Sequence, residues 1–292
     1  MKHFYYILLM ITNITGKLLV SMLTKYKSSP LYLNTQCTII HNKHKFGKGE
    51  QEKFLLENDF IQNKKIISIS PGGYKGVYSF GVCSYIKDNF NLDEYVFSGA
   101  SAGAWNALMM CYKYDYQPIK EGIVDASLKQ YKTPFQVENS MKNKILSLCK
   151  SEDFDLRRLF IGVTTIDAYK PHTTIYSGFT NLEDALNACI ASSHIPLLTG
   201  GFVNTYNNKL TFDGGFSSYP YLFTSKPVLH ITPSMWNQNK SKPTLIKDIT
   251  DYTTLLSKNK FNFDEMYLAG YTDAHKNKAF LKYVLENNEI GE

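Results

Sequence analysis

Ile66-Ile67-Ser68-Ile69-Ser70, followed by Pro71-Gly72-Gly73-Tyr74-Lys75-Gly76 and later by Phe97-Ser98-Gly99-Ala100-Ser101-Ala102-Gly103, decides the fold. The first run has the β-branched richness of a buried strand, and Pro71-Gly72-Gly73 ends it. Over Val77 to Asn89, Phe80, Cys83 or Ser84, and Ile86 or Lys87 recur at helical intervals. Glu94 to Ser98 reads as the next strand. Ala102 to Tyr112 reads as a helix with Ala104, Ala107, Leu108 and Cys111 on one face. Strand, glycine loop, helix, strand, tight turn and helix open an α/β sandwich with a mostly parallel central sheet. At the tight turn, Gly99 and Gly103 frame Ser101 in a G-x-S-x-G elbow. Its glycines let the chain pass from strand to helix without a Cβ clash, so the serine hydroxyl projects towards a ligand.

The same alternation continues downstream. Leu159 to Thr165 is a strongly apolar strand, and Thr173 to Ser177 alternates like a partner strand. Thr180-x-x-Glu183 has the form of a capping box for a helix carrying Leu182, Ala185, Leu186, Cys189 and Ile190, which Pro196 stops. Lys209 to Phe212 is a short strand that delivers Asp213-Gly214-Gly215 at its exit. Val228 to Ile231 is a last strand, and helices are expected around Leu245 to Leu256 and Phe263 to Leu285. Tyr114 to Lys150 is helical in parts, broken by Pro118 and Pro134, and shows no residues of evident chemical purpose. Ligands of open α/β sheets bind at the carboxyl ends of strands. The glycine loop, Ser101 and Asp213 all fall at strand exits.

A glycine loop between a strand and a helix gathers backbone N–H groups and the positive end of a helix dipole, which suits a phosphate or an oxyanion. The Walker ending is absent, because Lys75 is followed by Gly76 and Val77. The dinucleotide fingerprint would need glycine where Pro71 stands. Ester hydrolysis needs a nucleophile, a base and donors for a negative oxygen. Ser101 can be the first, and Gly72 and Gly73 can be among the last. For the base, Asp213 competes with His172, His194, His230 and His275, all of which follow Ser101 and could complete a Ser–His–Asp set.

Of the 292 residues 43% are hydrophobic, enough for one substantial core. The net charge of +6 is spread over scattered lysines, which argues against nucleic acid as a partner. Five cysteines, Cys37, Cys83, Cys111, Cys149 and Cys189, are far apart, lack C-x-x-C spacing and fit a reducing compartment. Phe4 to Leu23 is apolar but interrupted by Asn13, Thr15, Gly16 and Lys17. It admits three readings: an amphipathic helix carrying Ile7, Ile11, Ile14, Leu18 and Met22, a membrane anchor, or a signal peptide without a convincing cleavage site. Lys17 near a bilayer centre would cost about 2.5–3.5 kcal/mol.

Taken together and in order, Pro71 to Gly76, Gly99 to Gly103 and Asp213-Gly214-Gly215 resemble the signature set of patatin-like phospholipases over about Ile66 to Tyr221. Ala191-Ser192-Ser193-His194-Ile195-Pro196 is similar to the segment before the aspartate in the adiponutrin and adipose triglyceride lipase branch. The resemblance implies a three-layer patatin-like sandwich and a lipid acyl hydrolase. It implies a Ser101–Asp213 dyad without a catalytic histidine, and an oxyanion hole over Gly72, Gly73, Tyr74, Lys75 and Gly76. No metal or organic cofactor is required by that chemistry. Two departures stand out: Pro71 replaces the first glycine of the usual run, and Gly215 stands where many members have alanine. Three segments are expected: an N-terminal extension over 1–64, the catalytic domain over 65–235 and a C-terminal helical segment over 236–292. The expected partner is a lipid at a membrane or lipid-droplet surface. The expected location is the cytoplasm or a membrane held through the N-terminal helix. A lipid-binding protein on a decayed patatin fold is the non-enzymatic alternative.

Overall fold

The computed structural model describes residues 38–42, 59–62, 64–124, 130–131, 133–167, 170–217, 219–222, 227–236 and 262–286. The N-terminal apolar stretch, Cys37 and the helix expected around Leu245 to Leu256 lie outside them. The described part holds an eight-stranded sheet with β1 (Thr38–Asn42), β2 (Lys65–Ile69), β3 (Tyr95–Ala100), β4 (Leu159–Asp167), β5 (Lys170–Ser177), β6 (Asn204–Tyr206), β7 (Lys209–Phe212) and β8 (Pro227–Ile231). The order is β1-β5-β4-β3-β2-β8, with β7 between β4 and β6. Strands β4, β3, β2 and β8 form the parallel centre; β5 and then β1 add antiparallel pairings on one edge of β4, and β7 and then β6 add them on its other edge, beyond the end of β3.

Strands in the parallel centre are buried on both faces, which is why Ile66 to Ile69 reads as a nearly continuous apolar run. Side chains alternate between two cores. Ile67, Ile69, Phe97, Leu159 and Ile161 join the larger core, while Ile66, Val96 and Phe160 join a smaller one with Ile61, Ile175 and Leu222.

Among the described residues eight helices follow in chain order: α1 (Asp59–Gln62), α2 (Gly76–Asn89), α3 (Ala102–Met110), α4 (Gln117–Ile123), α5 (Pro134–Leu148), α6 (Leu182–Ser192), α7 (Phe263–Lys276) and α8 (Lys278–Glu286). Helices α2, α3 and α6 contribute Val82, Leu108 and Leu186 to the larger core. Helix α7 lies directly on α2, because a Cβ at Gly81 would fall 2.1 Å from the Tyr267 carbonyl and one at Gly270 2.0 Å from the Tyr78 carbonyl. The expected helix over Phe263 to Leu285 is two helices, parted at Asn277, whose amide closes onto Asp273 and Ala274. The capping box expected at Thr180 is displaced by one residue. Asn181 is the cap and accepts the Asp184 amide at 2.9 Å, while Thr180 donates to the Asp184 carboxylate. Cys83, Cys111, Cys149 and Cys189 are free and buried.

One topological detail positions the site. β3 runs parallel to β4 as far as Ala100 opposite Gly162, and β7 runs antiparallel to β4 as far as Phe212 opposite Thr164. The two strands therefore lie beside one strand and point at each other. Ser101 leaves the first and Asp213 leaves the second at the same place.

Candidate active site

Ser101 adopts φ 53°, ψ −129° between β3 and α3, a left-handed conformation that costs a non-glycine residue about 1–3 kcal/mol. Its two flanking glycines make that turn sterically feasible. A Cβ at Gly99 would lie 2.0 Å from the Gly103 carbonyl oxygen, and one at Gly103 would lie 2.1 Å from that of Ile69. The glycines thus serve close approach, and the unusual φ is borne by the serine. Its amide donates to Ser192 Oγ at 2.8 Å, and the Ser192 hydroxyl donates to the Gly162 carbonyl at 2.6 Å.

The Ser101 hydroxyl donates to Asp213 Oδ2 at 2.7 Å, and both residues are buried. Asp213 is fixed on every side. Oδ1 accepts the Gly215 amide at 2.7 Å, the Asp213 amide donates to the His194 carbonyl at 2.7 Å, and its own carbonyl accepts from Thr164 Oγ1 at 2.9 Å. Gly214 crosses where the two strands meet, since a Cβ there would stand 2.2 Å from the Gly162 carbonyl. Burial pushes the Asp213 carboxyl up to about 6, against the bonds from Ser101 and Gly215 that favour its ionised form. That value leaves it mostly ionised at neutral pH and more basic than an ordinary carboxylate.

Gly72 to Gly76 lies beside the pair. Gly73 to Lys75 form one 3-10 turn, with Gly73 at φ 50°. The Lys75 amide donates to the Gly72 carbonyl at 3.0 Å, and the Gly76 amide to Gly73 and Tyr74. These two amides are consumed by the turn, whereas those of Gly73 and Tyr74 precede its first closing bond. Gly72, Gly73, Tyr74 and Gly76 line the same cavity as Ser101 and Asp213; Lys75 is not among the lining residues. Gly76 is small by necessity, a Cβ there falling 2.5 Å from that of Ala102, and its carbonyl accepts from Asn106 Nδ2. The two departures from the family pattern are neighbours in space. A Cβ at Gly215 would meet Pro71 Cβ and Cγ at 3.1 Å and Asp213 Oδ1 at 2.9 Å, so the proline ring occupies room that an alanine would need.

The cavity has a volume of about 240 Å³ and apolar walls, including Phe80 on α2, Trp105 and Met109 on α3, and Val137, Met141 and Ile145 on α5. Among the described residues no histidine lines it. His230 exchanges a 2.8 Å bond with Ser68 Oγ, on a residue whose neighbours Ile67 and Ile69 face the larger core from the other side of the strand. His194 lends its carbonyl to Asp213, while its ring Nε2 is buried without a partner and burial pushes its pKa down. The run Ala191 to Pro196 is therefore a scaffold. Ser192 holds the elbow, Ser193 Oγ accepts the Trp105 indole at 3.1 Å, and His194 holds the aspartate through its backbone.

One lining carboxyl is not among the residues that the sequence singles out. Glu138 on α5 reaches the cavity from the segment in which no chemistry was evident. The signal was an acidic residue standing three and seven positions before Met141 and Ile145, on the apolar side of an amphipathic helix.

An α/β sandwich with a strained serine at a strand-to-helix elbow, at the floor of an apolar cavity, is the class that fold and site define. The chain belongs to the patatin-like phospholipase family, whose model matches residues 67–222, more than half of the sequence. The family consists in general of lipid acyl hydrolases. A search of curated proteins finds no match.

Proposed function

We propose that the protein is a serine lipid acyl hydrolase that cleaves carboxylic esters of phospholipids or acylglycerols with Ser101 as nucleophile and Asp213 as general base. The observation that carries this reading is the 2.7 Å bond from the Ser101 hydroxyl to Asp213 Oδ2 at the floor of an apolar cavity. Asp213 takes the serine proton as Ser101 Oγ attacks the ester carbonyl. Amides of the Gly72–Gly73–Tyr74 turn hold the oxyanion, each such donor being worth about 2.7–4 kcal/mol in serine hydrolases. Asp213 then protonates the leaving alcohol, and water, deprotonated by the same carboxylate, releases the acid from acyl-Ser101. No step calls on a histidine.

A lipid surface as the place of action is supported by the cavity's surroundings. Ile195 and Thr199 line the cavity, and next to them Leu197, Leu198 and Phe202 are 64%, 46% and 55% exposed. Apolar side chains so placed favour contact with an apolar interface. Among the described residues no helix is long and apolar enough to cross a membrane, so anchoring through Phe4 to Leu23 stays a proposal on sequence grounds. The scaffold run Ala191 to Pro196 is the feature that favours the adiponutrin and adipose triglyceride lipase branch.

Acyl release from phospholipid vesicles and from emulsified triacylglycerol, compared between wild type and Ser101→Ala, tests the reading. The wild type should release fatty acid from at least one of them and the variant should not. Equal release by both would refute it. His194→Ala and His230→Ala should keep turnover, and its loss in a folded His230→Ala protein would favour a histidine base.

A further inference from the structure

Glu138 is the one carboxyl besides Asp213 among the residues lining the cavity, and among the described residues no lysine or arginine lines it. Its Oε2 is buried without a hydrogen-bond partner. Ser193 bonds the carboxyl, and Asp213 is close enough for its charge to disfavour ionisation. Burial acts in the same direction and is the larger cause, and the two together push the Glu138 carboxyl well above the usual carboxylate range, towards its neutral form. A neutral carboxyl offers one O–H donor and a carbonyl acceptor. Its neighbours on the same helix face, Met141 and Ile145, are apolar, so packing alone asks for no carboxyl there.

Its place in the cavity narrows what it can meet. The walls from α3, the end of α4 at its C-cap and the second half of α5 present Met109, Val124 and Ile145, which suit a hydrocarbon chain. Apart from Tyr74 on the glycine loop and Asn106, which is bonded to the Gly76 carbonyl, the polar lining gathers near the elbow as Ser101, Asp213, Ser193, Thr199 and Glu138. Ser193 and Thr199 already have partners within the fold, through the Trp105 indole, the Cys189 carbonyl and the Ser193 carbonyl. Glu138 Oε2 is left for the ligand. An unmodified acyl chain carries no oxygen beyond its ester, whereas the alcohol half of a glycerolipid does.

We propose that Glu138 is a substrate-recognition residue whose free oxygen meets a hydroxyl on the alcohol half of the bound ester, next to the scissile bond. A hydroxyl both donates and accepts, so it can match either face of the carboxyl, whereas a methylene in its place leaves a buried polar group unpaired. The substrate class that follows is a partly deacylated glycerolipid, a glycerol monoester with a free neighbouring hydroxyl. This inference rests on the serine hydrolase reading.

The test uses the full chain as wild type, Glu138→Gln and Glu138→Leu, with Glu138→Met as companion should leucine not fold. Each is assayed on 1-monoacylglycerol and on 1-acyl lysophosphatidylcholine, beside the 2-deoxy analogue of each with the same chain. The wild type should prefer the hydroxylated member of at least one pair by about tenfold or more in kcat/KM, the scale of leaving one buried polar group unpaired. The pair that shows it identifies the source of the hydroxyl. Glu138→Gln, which keeps a donor and an acceptor, should retain the preference, and Glu138→Leu or Glu138→Met should bring it within about twofold. An equal preference in wild type and the apolar variant, or none in wild type, overturns the proposal while hydrolysis itself stands. Absence of hydrolysis of every ester by wild type, with Ser101 inert to a fluorophosphonate, overturns the underlying reading instead.

Discussion

The floor of the cavity and its α5 wall hold one carboxyl each, and the fold treats them in opposite ways. Asp213 is tied through both side-chain oxygens and both backbone groups, whereas Glu138 leaves an oxygen buried and unpartnered. On the floor, Gly99, Gly103 and Gly214 touch neighbouring backbone so closely that no Cβ fits. The wall is a helix with ordinary apolar packing. A group so constrained is positioned for geometry, and a group so unpaired is waiting for a ligand. Five substitutions probe that contrast, from the largest expected effect to the smallest.

Asp213→Asn keeps the shape and removes the base, so activity should drop about 10⁴-fold, as when the carboxylate of a serine hydrolase is neutralised. The same change should stabilise the fold. A carboxyl lifted from 3.8 unfolded to about 6 folded binds its proton more tightly in the native state. Stability therefore falls as pH rises through that window, and asparagine escapes a penalty of up to about 3 kcal/mol at pH 8. Thermal melts at pH 4 and pH 8 should show the variant gaining only at the higher pH. For wild type, kcat/KM should climb with pH and reach half its plateau near 6; a flat profile from 4 to 8 would detach Asp213 from catalysis.

Gly103→Ala should cost about 3 kcal/mol or more, because the added methyl meets the Ile69 backbone and nothing flexible can yield. A melt unchanged from wild type would show that the elbow is looser than its contacts imply. Gly215→Ala should act more gently, pressing on Pro71 and Asp213 Oδ1 and lowering kcat about tenfold. Pro71→Gly in the same chain should restore part of that loss, giving a coupling of about 0.5–3 kcal/mol in a double-mutant cycle. Strict additivity would deny that the two departures from the family pattern compensate. On the wall, Met141→Leu should stay within about 1.5 kcal/mol in stability and a few-fold in kcat/KM. A large loss there would erase the contrast between floor and wall.

The floor was legible in the sequence and the wall was not, for physical reasons. Glycines that permit close approach leave a fixed spacing around Ser101, and a strand ending in Asp213-Gly214-Gly215 marks a second exit. What the sequence could not show was direction. Periodicity reports that Lys209 to Phe212 is a strand but not that it runs head-on towards β3, which is what joins Ser101 to Asp213. The run Ala191 to Pro196 drew notice, yet its work is done by the Ser192 hydroxyl and the His194 carbonyl, and a backbone oxygen has no sequence signature. Within the glycine loop the turn consumes the Lys75 and Gly76 amides, a consequence of local hydrogen bonding that residue types do not announce. Glu138 was hidden because one acidic residue beside an apolar stripe usually reaches solvent, and only tertiary packing turns it inward.

The most direct measurement is labelling of the folded protein with a fluorophosphonate, followed by mapping of the modified peptide. The account predicts a single adduct on Ser101, much slower to form in Asp213→Asn and absent in Ser101→Ala. A folded wild type that stays unlabelled, or one labelled at another serine, would contradict it.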